Sequence, residues 1–447
     1  MNPFILGQIT LFTFITIVSF FFVYKRAKAI YRNIKLGRKE IISDRKGIRF
    51  KNMLLIAFGQ QKMFKNPLVA ILHFTIYVAF IITQIELIEI FIDGYTGHHR
   101  IIYHAIESIY GLKLLYVIGV NAIEFLSVLA FIATLIFLSR RNLVKVPRLN
   151  MAELKGWARM DANLILFFEI YLITCIFSMN ATDSAMHYNE TATGYGFILS
   201  GMIARLIHEL PHIVLLICER LGWWGHLIGV LGFMLYLPSS KHLHILLAFP
   251  NTFFARLQPK GELSNLASVT KEIKLMMNPE TAYSATDSTA EPERFGAKDV
   301  QDLSWKSLLD AMSCTECGRC TAACPANITG KLLSPRKIMM DTRDRLEEVG
   351  RNIDANAGKF VDDGKSLIEN GYISVEELRA CTTCNACVEE CPIMINPLDI
   401  IIELRRSLIL EDSNSPEEWN GMFANIENNA APWQFSQQDR LNWAEEK

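Results

Sequence analysis

Ten cysteines occur in the 447-residue chain, and eight of them fall in two near-identical runs between residues 314 and 391. The first run is Cys314-Thr-Glu-Cys317-Gly-Arg-Cys320-Thr-Ala-Ala-Cys324-Pro325. The second is Cys381-Thr-Thr-Cys384-Asn-Ala-Cys387-Val-Glu-Glu-Cys391-Pro392. Both follow C-x2-C-x2-C-x3-C-P, a thiolate spacing that holds paired [4Fe-4S] clusters. Three thiolates on one tight loop cap three irons of a cubane, and the fourth, displaced onto a following helix, reaches the neighbouring cluster. The spacing therefore predicts one cluster on Cys314, Cys317, Cys320 and Cys391, and a second on Cys381, Cys384, Cys387 and Cys324. A lone C-x2-C would leave a structural zinc site equally open. Two complete runs, each closed by Cys-Pro, favour iron and sulfur. Two adjacent clusters form an electron wire, which raises the question of what lies at each end.

The segments around these loops divide the chain in two. It is 51% hydrophobic yet 20% charged, an average that points to a membrane half joined to a soluble half. A net charge of −1 gives no argument for nucleic acid. The cluster loops call for a reducing compartment rather than a disulfide scaffold, and Cys175 and Cys218, set in apolar stretches, read as inert thiols. Residues Phe4 to Tyr24 carry no charge, enough length to cross a hydrocarbon core of about 30 Å. Lys25, Arg26 and Lys28 follow directly, so this segment reads as an anchor with its N-terminus outside and not as a cleaved signal. Four more spans are predicted over about 67–92, 112–139, 162–180 and 222–248. The connections 25–51 and 140–160 are rich in Lys and Arg, whereas 93–110 holds only Arg100 among Lys and Arg. The positive-inside rule puts the two basic connections in the cytoplasm. Five spans then leave the cluster loops in the cytoplasm as well. Residues 197–219, apolar but broken by Arg205, His208, Glu209, Pro211 and His212, read as an outer-face interfacial helix or hairpin.

Histidines inside spans are functional candidates by default. His73 lies near the inner end of the second span. His226 is expected to open the fifth span after Trp223 and Trp224, with His242 and His244 at its inner end. Eighteen residues of ideal helix would put His226 and His244 on one face about 27 Å apart, a separation suited to two haems. On that geometry His242 points away from His244, and Pro238 would kink the helix. An inner haem b would pair His73 with His244. An outer one would pair His226 with His99, or with His104. Polar contacts between helices are the structural alternative for each histidine. Glu86, Glu89 and Glu169, with Glu124, are candidates for quinone contact or proton transfer, and a helix–helix hydrogen bond is the alternative.

The domain boundaries follow: a transmembrane haem b domain over 1–258, a linker over 259–300, a helical domain with two clusters over 301–411, and a partner-binding tail over 412–447. The linker assignment rests on a Pro, Ser, Thr, Ala and Glu-rich stretch at 278–300. An apolar-periodic segment from Leu303 to Met312 leads into the first loop, and 336–349 reads as a charged helix. Lys331, Arg336 and Lys337 read as solvated charge. No alternating strand pattern is present, so the expected fold is all-α.

With these residues in view, the membrane half resembles the gamma subunit of respiratory nitrate reductase and related haem b subunits. The likeness rests on five spans, His73 and the pair His226/His244. Those proteins use two histidines on span two for two b haems; here the position ten residues after His73 is Thr83. The soluble half is similar to the helical ferredoxin of heterodisulfide-reductase-type and glycerol-3-phosphate dehydrogenase iron–sulfur subunits. The runs Tyr236-Leu-Pro-Ser-Ser-Lys-His242-Leu-His244 and Glu427-Asn-Asn-Ala-Ala-Pro-Trp433 resemble fused members of that group. In longer members this tail leads into Cys-Cys-Gly domains, so the resemblance implies a separate cysteine-rich iron–sulfur subunit. It further implies a multi-pass protein of the bacterial inner membrane that carries electrons between a soluble partner and (mena)quinone in a respiratory chain. Electron-transferring flavoprotein is one such partner. A quinol-driven heterodisulfide-type reductase subunit, and a haem-free membrane-anchored ferredoxin scaffold or sensor, are the alternatives.

Overall fold

The structure, a computed structural model, describes residues 3–188, 196–278 and 294–445. Among these residues the fold is all-α; only isolated bridges interrupt it. The principal helices are α1 (Pro3–Ile34), α2 (Pro67–Thr96), α3 (Tyr110–Asn142), α4 (Trp157–Met186), α5 (Leu199–Ile207), α6 (His212–Tyr236), α7 (His244–Phe253), α8 (Trp305–Ser313), α9 (Pro335–Ala355) and α10 (Pro397–Leu410). Five of them, α1, α2, α3, α4 and α6, are long and apolar enough to cross a membrane. Their ends follow local chemistry. Pro67 starts α2 at a position where its missing N–H costs nothing, and Gly97, at φ 72, ends it. The bundle closes tightly where small residues let helices approach. A Cβ on Gly222 of α6 would stand 2.8 Å from the Met179 backbone nitrogen and 2.9 Å from the Cys175 carbonyl of α4.

The fifth span differs from the sequence expectation in both position and continuity. It begins at His212 and ends at Tyr236, where Pro238 forces two successive 3-10 turns, Leu237–Ser239 and Lys241–Leu243, before α7 restarts at His244. His226 therefore sits mid-helix and does not open the span, and Trp223 packs inside the bundle against Phe12. His226 and His244 do not share one helix, so the common-face argument fails. Residues 197–219 are not one interfacial element either: they form α5, a short break and the first two turns of α6. Glu124 of α3 caps α5, accepting from the backbone nitrogens of Leu199 and Ser200 at 2.9 and 3.0 Å. Its role is the helix contact allowed above.

The soluble half is built on the membrane half without a gap. α1 continues past the basic residues that follow the apolar run and enters the soluble core, where Ile34 is buried beside Leu303, Leu346 and Val349. Arg38 donates its backbone N–H to the Leu303 carbonyl at 2.7 Å and accepts from the Trp305 nitrogen at 3.1 Å. Arg32 pairs with Asp354, Arg38 with Glu403 and Arg256 with Asp399. The basic connections predicted from charge bias thus also hold the soluble domain down. The domain starts earlier than the linker boundary at 300 suggested: Ala297 and Val300 are fully buried and the Ala297 nitrogen bonds the Glu403 carbonyl. Inside the expected linker, Ala267–Met277 is helical, and 279–293 lies outside the described residues. The tail carries a helix, Glu417–Asn429, with no buried residue.

Because the α4–α6 contact is set by backbone proximity, Gly222→Ala is expected to cost about 1–3 kcal/mol. Gly232→Ala meets nothing within 4 Å and is expected to be neutral or slightly stabilising. Thermal unfolding of the two variants in detergent reads the difference.

Candidate metal centres

The two cysteine loops share a backbone course as well as a sequence. Glu316 and Thr383, each two residues after the first cysteine, both take φ 56, and Gly318 and Asn385, four residues after it, take φ 72 and 62. These left-handed positions suit Gly and Asn and turn successive N–H groups toward the sulfurs. Glu316 N–H reaches Cys314 Sγ at 3.4 Å, Thr383 N–H reaches Cys381 Sγ at 3.4 Å, and Ile395 N–H reaches Cys391 Sγ at 3.2 Å. Short helices following each loop, Arg319–Ala322 and Ala386–Glu390, pack on each other and bring the fourth cysteine of each run across. Cys391 lines one pocket with Cys314, Cys317 and Cys320. Cys324 lies close to Cys381 and Cys387. Cys387 lines the first pocket as well; the crossed grouping is the ligand set that the spacing proposes.

The residues around the first loop fit a cluster. Burial pushes the Cys314 and Cys391 thiols up to about 12. As free thiols they are protonated at neutral pH, and a metal centre must displace those protons to be held. Arg336, fully buried, lines the same pocket. Its two terminal nitrogens bind the Arg148 carbonyl at 2.6 Å and Glu153 at 2.7 Å, while its Nε is buried without a partner. A cluster sulfur in the pocket would supply the missing acceptor. The expectation of a solvated charge at Arg336 is therefore overturned, because the guanidinium is engaged by the membrane half. Lys337 likewise pairs with Asp341 and Glu377. Gly318 is required beside it: a Cβ there would meet the Arg336 guanidinium at 2.4 Å. None of this is readable from sequence, since Glu153 and Arg148 lie more than 180 residues away.

From the first loop the contacts lead into the membrane half. Burial would raise Glu316, but Arg343 and Lys241 hold its carboxyl below the usual range. Arg343 bonds it at 2.8 Å and Lys241 pairs with its other oxygen. The Lys241 carbonyl in turn accepts Nδ1–H of His244 at 3.1 Å. His73 has its Nδ1 bound to Gln60 Oε1 at 2.9 Å. A ligating histidine almost always has its second ring nitrogen fixed in this way. In both rings the bound Nδ1 leaves Nε2 as the nitrogen that a haem iron would take. His242 is not turned away from His244: the broken helix brings the two rings to 5.3 Å, edge to face.

Of the outer candidates, His99 bonds Asp183 at 3.3 Å, His104 pairs with Glu107 at 3.5 Å, and His226 lines a cleft that Thr83 also lines. Glu86 and Glu89, expected near a quinone or proton route, are instead drawn to buried Arg100, at 3.4 and 3.0 Å. Asn180 and Tyr116 complete that cluster, bonding Glu86 at 3.1 Å and Glu89 at 2.7 Å. Arg100 read in sequence as one loop charge; its partners come from three helices.

Cys391→Ala is expected to remove the cluster of the first loop and Cys324→Ala that of the second, each leaving about four of about eight irons. Iron and acid-labile sulfide analysis checks this. Arg336→Gln removes a charge and a donor beside one cluster only, so redox titration followed by electron paramagnetic resonance should show that cluster alone moving to a lower potential.

Comparison with known proteins follows the same division. Residues 313–395 match the family described as a 4Fe-4S dicluster domain. The whole chain aligns with a probable iron-sulfur-binding oxidoreductase, FadF, of Bacillus subtilis, at 28% identity over 62% of that protein. Over 94% of its length it aligns with an EtfAB:quinone oxidoreductase of Syntrophomonas wolfei, at 26% identity and 55% of that protein. A 110-residue stretch is 34% identical to one component of a ferredoxin/F(420)H(2)-dependent CoB-CoM heterodisulfide reductase of Methanosarcina acetivorans, covering 24% of this chain and 53% of that one. The chain thus spans less than two thirds of the length of these relatives. No solved structure matches it. Together the dicluster match and the relatives support an iron–sulfur protein of the oxidoreductase type, with five helices long and apolar enough to cross a membrane.

Proposed function

We propose that the chain is the electron-transfer subunit of a membrane quinone oxidoreductase, carrying electrons between a soluble partner and (mena)quinone through two [4Fe-4S] clusters and haem b. The observation that carries this reading is the unbroken contact from the first cysteine loop through Glu316 and Lys241 to His244. His73 and His244 would hold the haem, which supplies one-electron redox chemistry between the clusters and the membrane. The chain's own residues do the positioning. Arg336, Arg343 and Lys241 fix the first loop against the membrane half, and Gln60 and the Lys241 carbonyl fix the tautomers of the two histidines.

The partner side is the second loop. Cys384 is the exposed cysteine of the eight, and Ile328 and Leu332, just after Cys324, are solvent-exposed apolar side chains. A cysteine-rich iron–sulfur subunit or a flavoprotein docking there would exchange electrons with the second cluster, and the exposed aromatics Trp433, Phe435 and Trp443 of the tail would extend that surface. The soluble domain sits on the face bearing the basic connections, which supports a bacterial inner-membrane protein with its clusters in the cytoplasm and its N-terminus outside.

The test is a reduced-minus-oxidised spectrum with haem quantitation on the purified complex. We expect about eight non-haem irons and about one b haem per chain, the haem being reducible by quinol. His73→Ala and His244→Ala should each lose the haem and keep the iron. An intact protein with full iron and no haem would sink the quinone reading in favour of a membrane-anchored ferredoxin scaffold.

A further inference from the structure

A cleft of about 770 Å³ runs along the bundle, with exposed side chains such as Phe80 and Leu246 at its mouth, and falls within the size range of small-molecule sites. Its walls are mainly apolar, with Phe168 and Phe233 among them, but His226, Glu169, Tyr77 and Ser127 also line it. The Tyr77 and Ser127 hydroxyls are buried without a hydrogen-bond partner, as is His226 Nδ1 on the side of its ring away from this space. Among the described residues no hydrogen bond or ion pair reaches Glu169. Unpaired polar groups around an apolar space in a membrane bundle are costly, so they point to a flat, largely apolar ligand that itself carries hydrogen-bonding oxygens.

His226 decides between the two occupants of that kind. It is 5% exposed, and with Nδ1 buried in protein the ring meets the cleft from its Nε2 side. As a haem ligand it would present the Nε2 lone pair and bury an Nδ1–H with no acceptor. His73 and His244 show the opposite arrangement, each with Nδ1 bound. The other tautomer leaves only a lone pair on Nδ1 and turns an Nε2–H donor into the cleft. Thr83, ten residues past His73, offers no imidazole, and its hydroxyl donates to the Phe80 carbonyl at 3.1 Å; the other histidine of the lining, His242, stands past the end of the helix beside His244.

Resting on the quinone reading above, we propose that this cleft is the quinone headgroup site. Nε2–H of His226 donates to one carbonyl oxygen, the Glu169 carboxyl binds at the headgroup's polar edge, and the packed pair Phe168–Phe233 lines one side of the ring.

The experiment uses the full chain with its clusters and haem in detergent, and the probe 2-heptyl-4-hydroxyquinoline N-oxide, whose fluorescence is quenched on binding. His226→Ala and Glu169→Gln should each weaken binding about tenfold or more, with haem content and unfolding midpoint unchanged. Val230→Phe, which narrows the cleft without replacing a polar group, should also weaken binding. Loss of haem in His226→Ala, or two haems in the parent chain, would overturn the proposal by making His226 an iron ligand. Unchanged probe affinity in all three variants would overturn this site while leaving the quinone reading standing. A parent chain that neither binds the probe nor has its haem reduced by quinol would overturn both.

Discussion

A buried guanidinium holds the two halves of this protein in register. Arg336 belongs to the soluble domain, yet both of its terminal nitrogens are committed to the 148–153 connection of the membrane half. Breaking a buried pair of this kind costs roughly 3–5 kcal/mol, because the partner is left uncompensated. The consequence is positional. The first cysteine loop cannot drift from the inner end of the bundle without exposing Glu153 and emptying the space that Gly318 leaves for the arginine. Around this contact the remaining ties are arranged: the α1 extension in the soluble core, the backbone pairing of Arg38 with Leu303 and Trp305, and the Lys241–Glu316–Arg343 group.

Charge inside the bundle is handled in two ways, and the difference separates structure from chemistry. Toward the Gly97 end of α2, Glu86 and Glu89 are drawn to Arg100 and to the polar side chains of Asn180 and Tyr116. Such a group holds the ends of α2, α3 and α4 together. Deeper in, Glu169 and His226 face an apolar cleft and are left without partners among the described residues. The first arrangement satisfies its own members; the second calls for a ligand.

The break after Tyr236 gives the protein its inner histidine site. A continuous helix would have carried His242 and His244 to different faces. Pro238 ends the helix and the chain winds through two tight turns, so that both rings come together and His244 can donate to the Lys241 carbonyl. The same turn places Lys241 over the first cysteine loop. One proline thus sets both the orientation of the histidine and its connection to the redox loop.

Features that depend on local chemistry were legible in the residues alone. Cysteine spacing dictated two equivalent loops, since the left-handed residues that shape them are encoded within each run. Apolar length dictated five spanning helices, and the absence of strand alternation dictated an all-α fold. The short helices that follow the two loops pack on each other. Long-range packing settled the rest. Arg336 looked like surface charge because its partners are remote in the chain, and for Glu86 and Glu89 the sequence left quinone contact, proton transfer and a helix–helix bond open because Arg100 lies beyond the end of their helix. The common face of His226 and His244 was an extrapolation of ideal helix geometry through Pro238, where the folded chain turns aside. Which histidines have their second nitrogen fixed, and which face an empty space, depends on neighbours from other helices; no spacing rule encodes it.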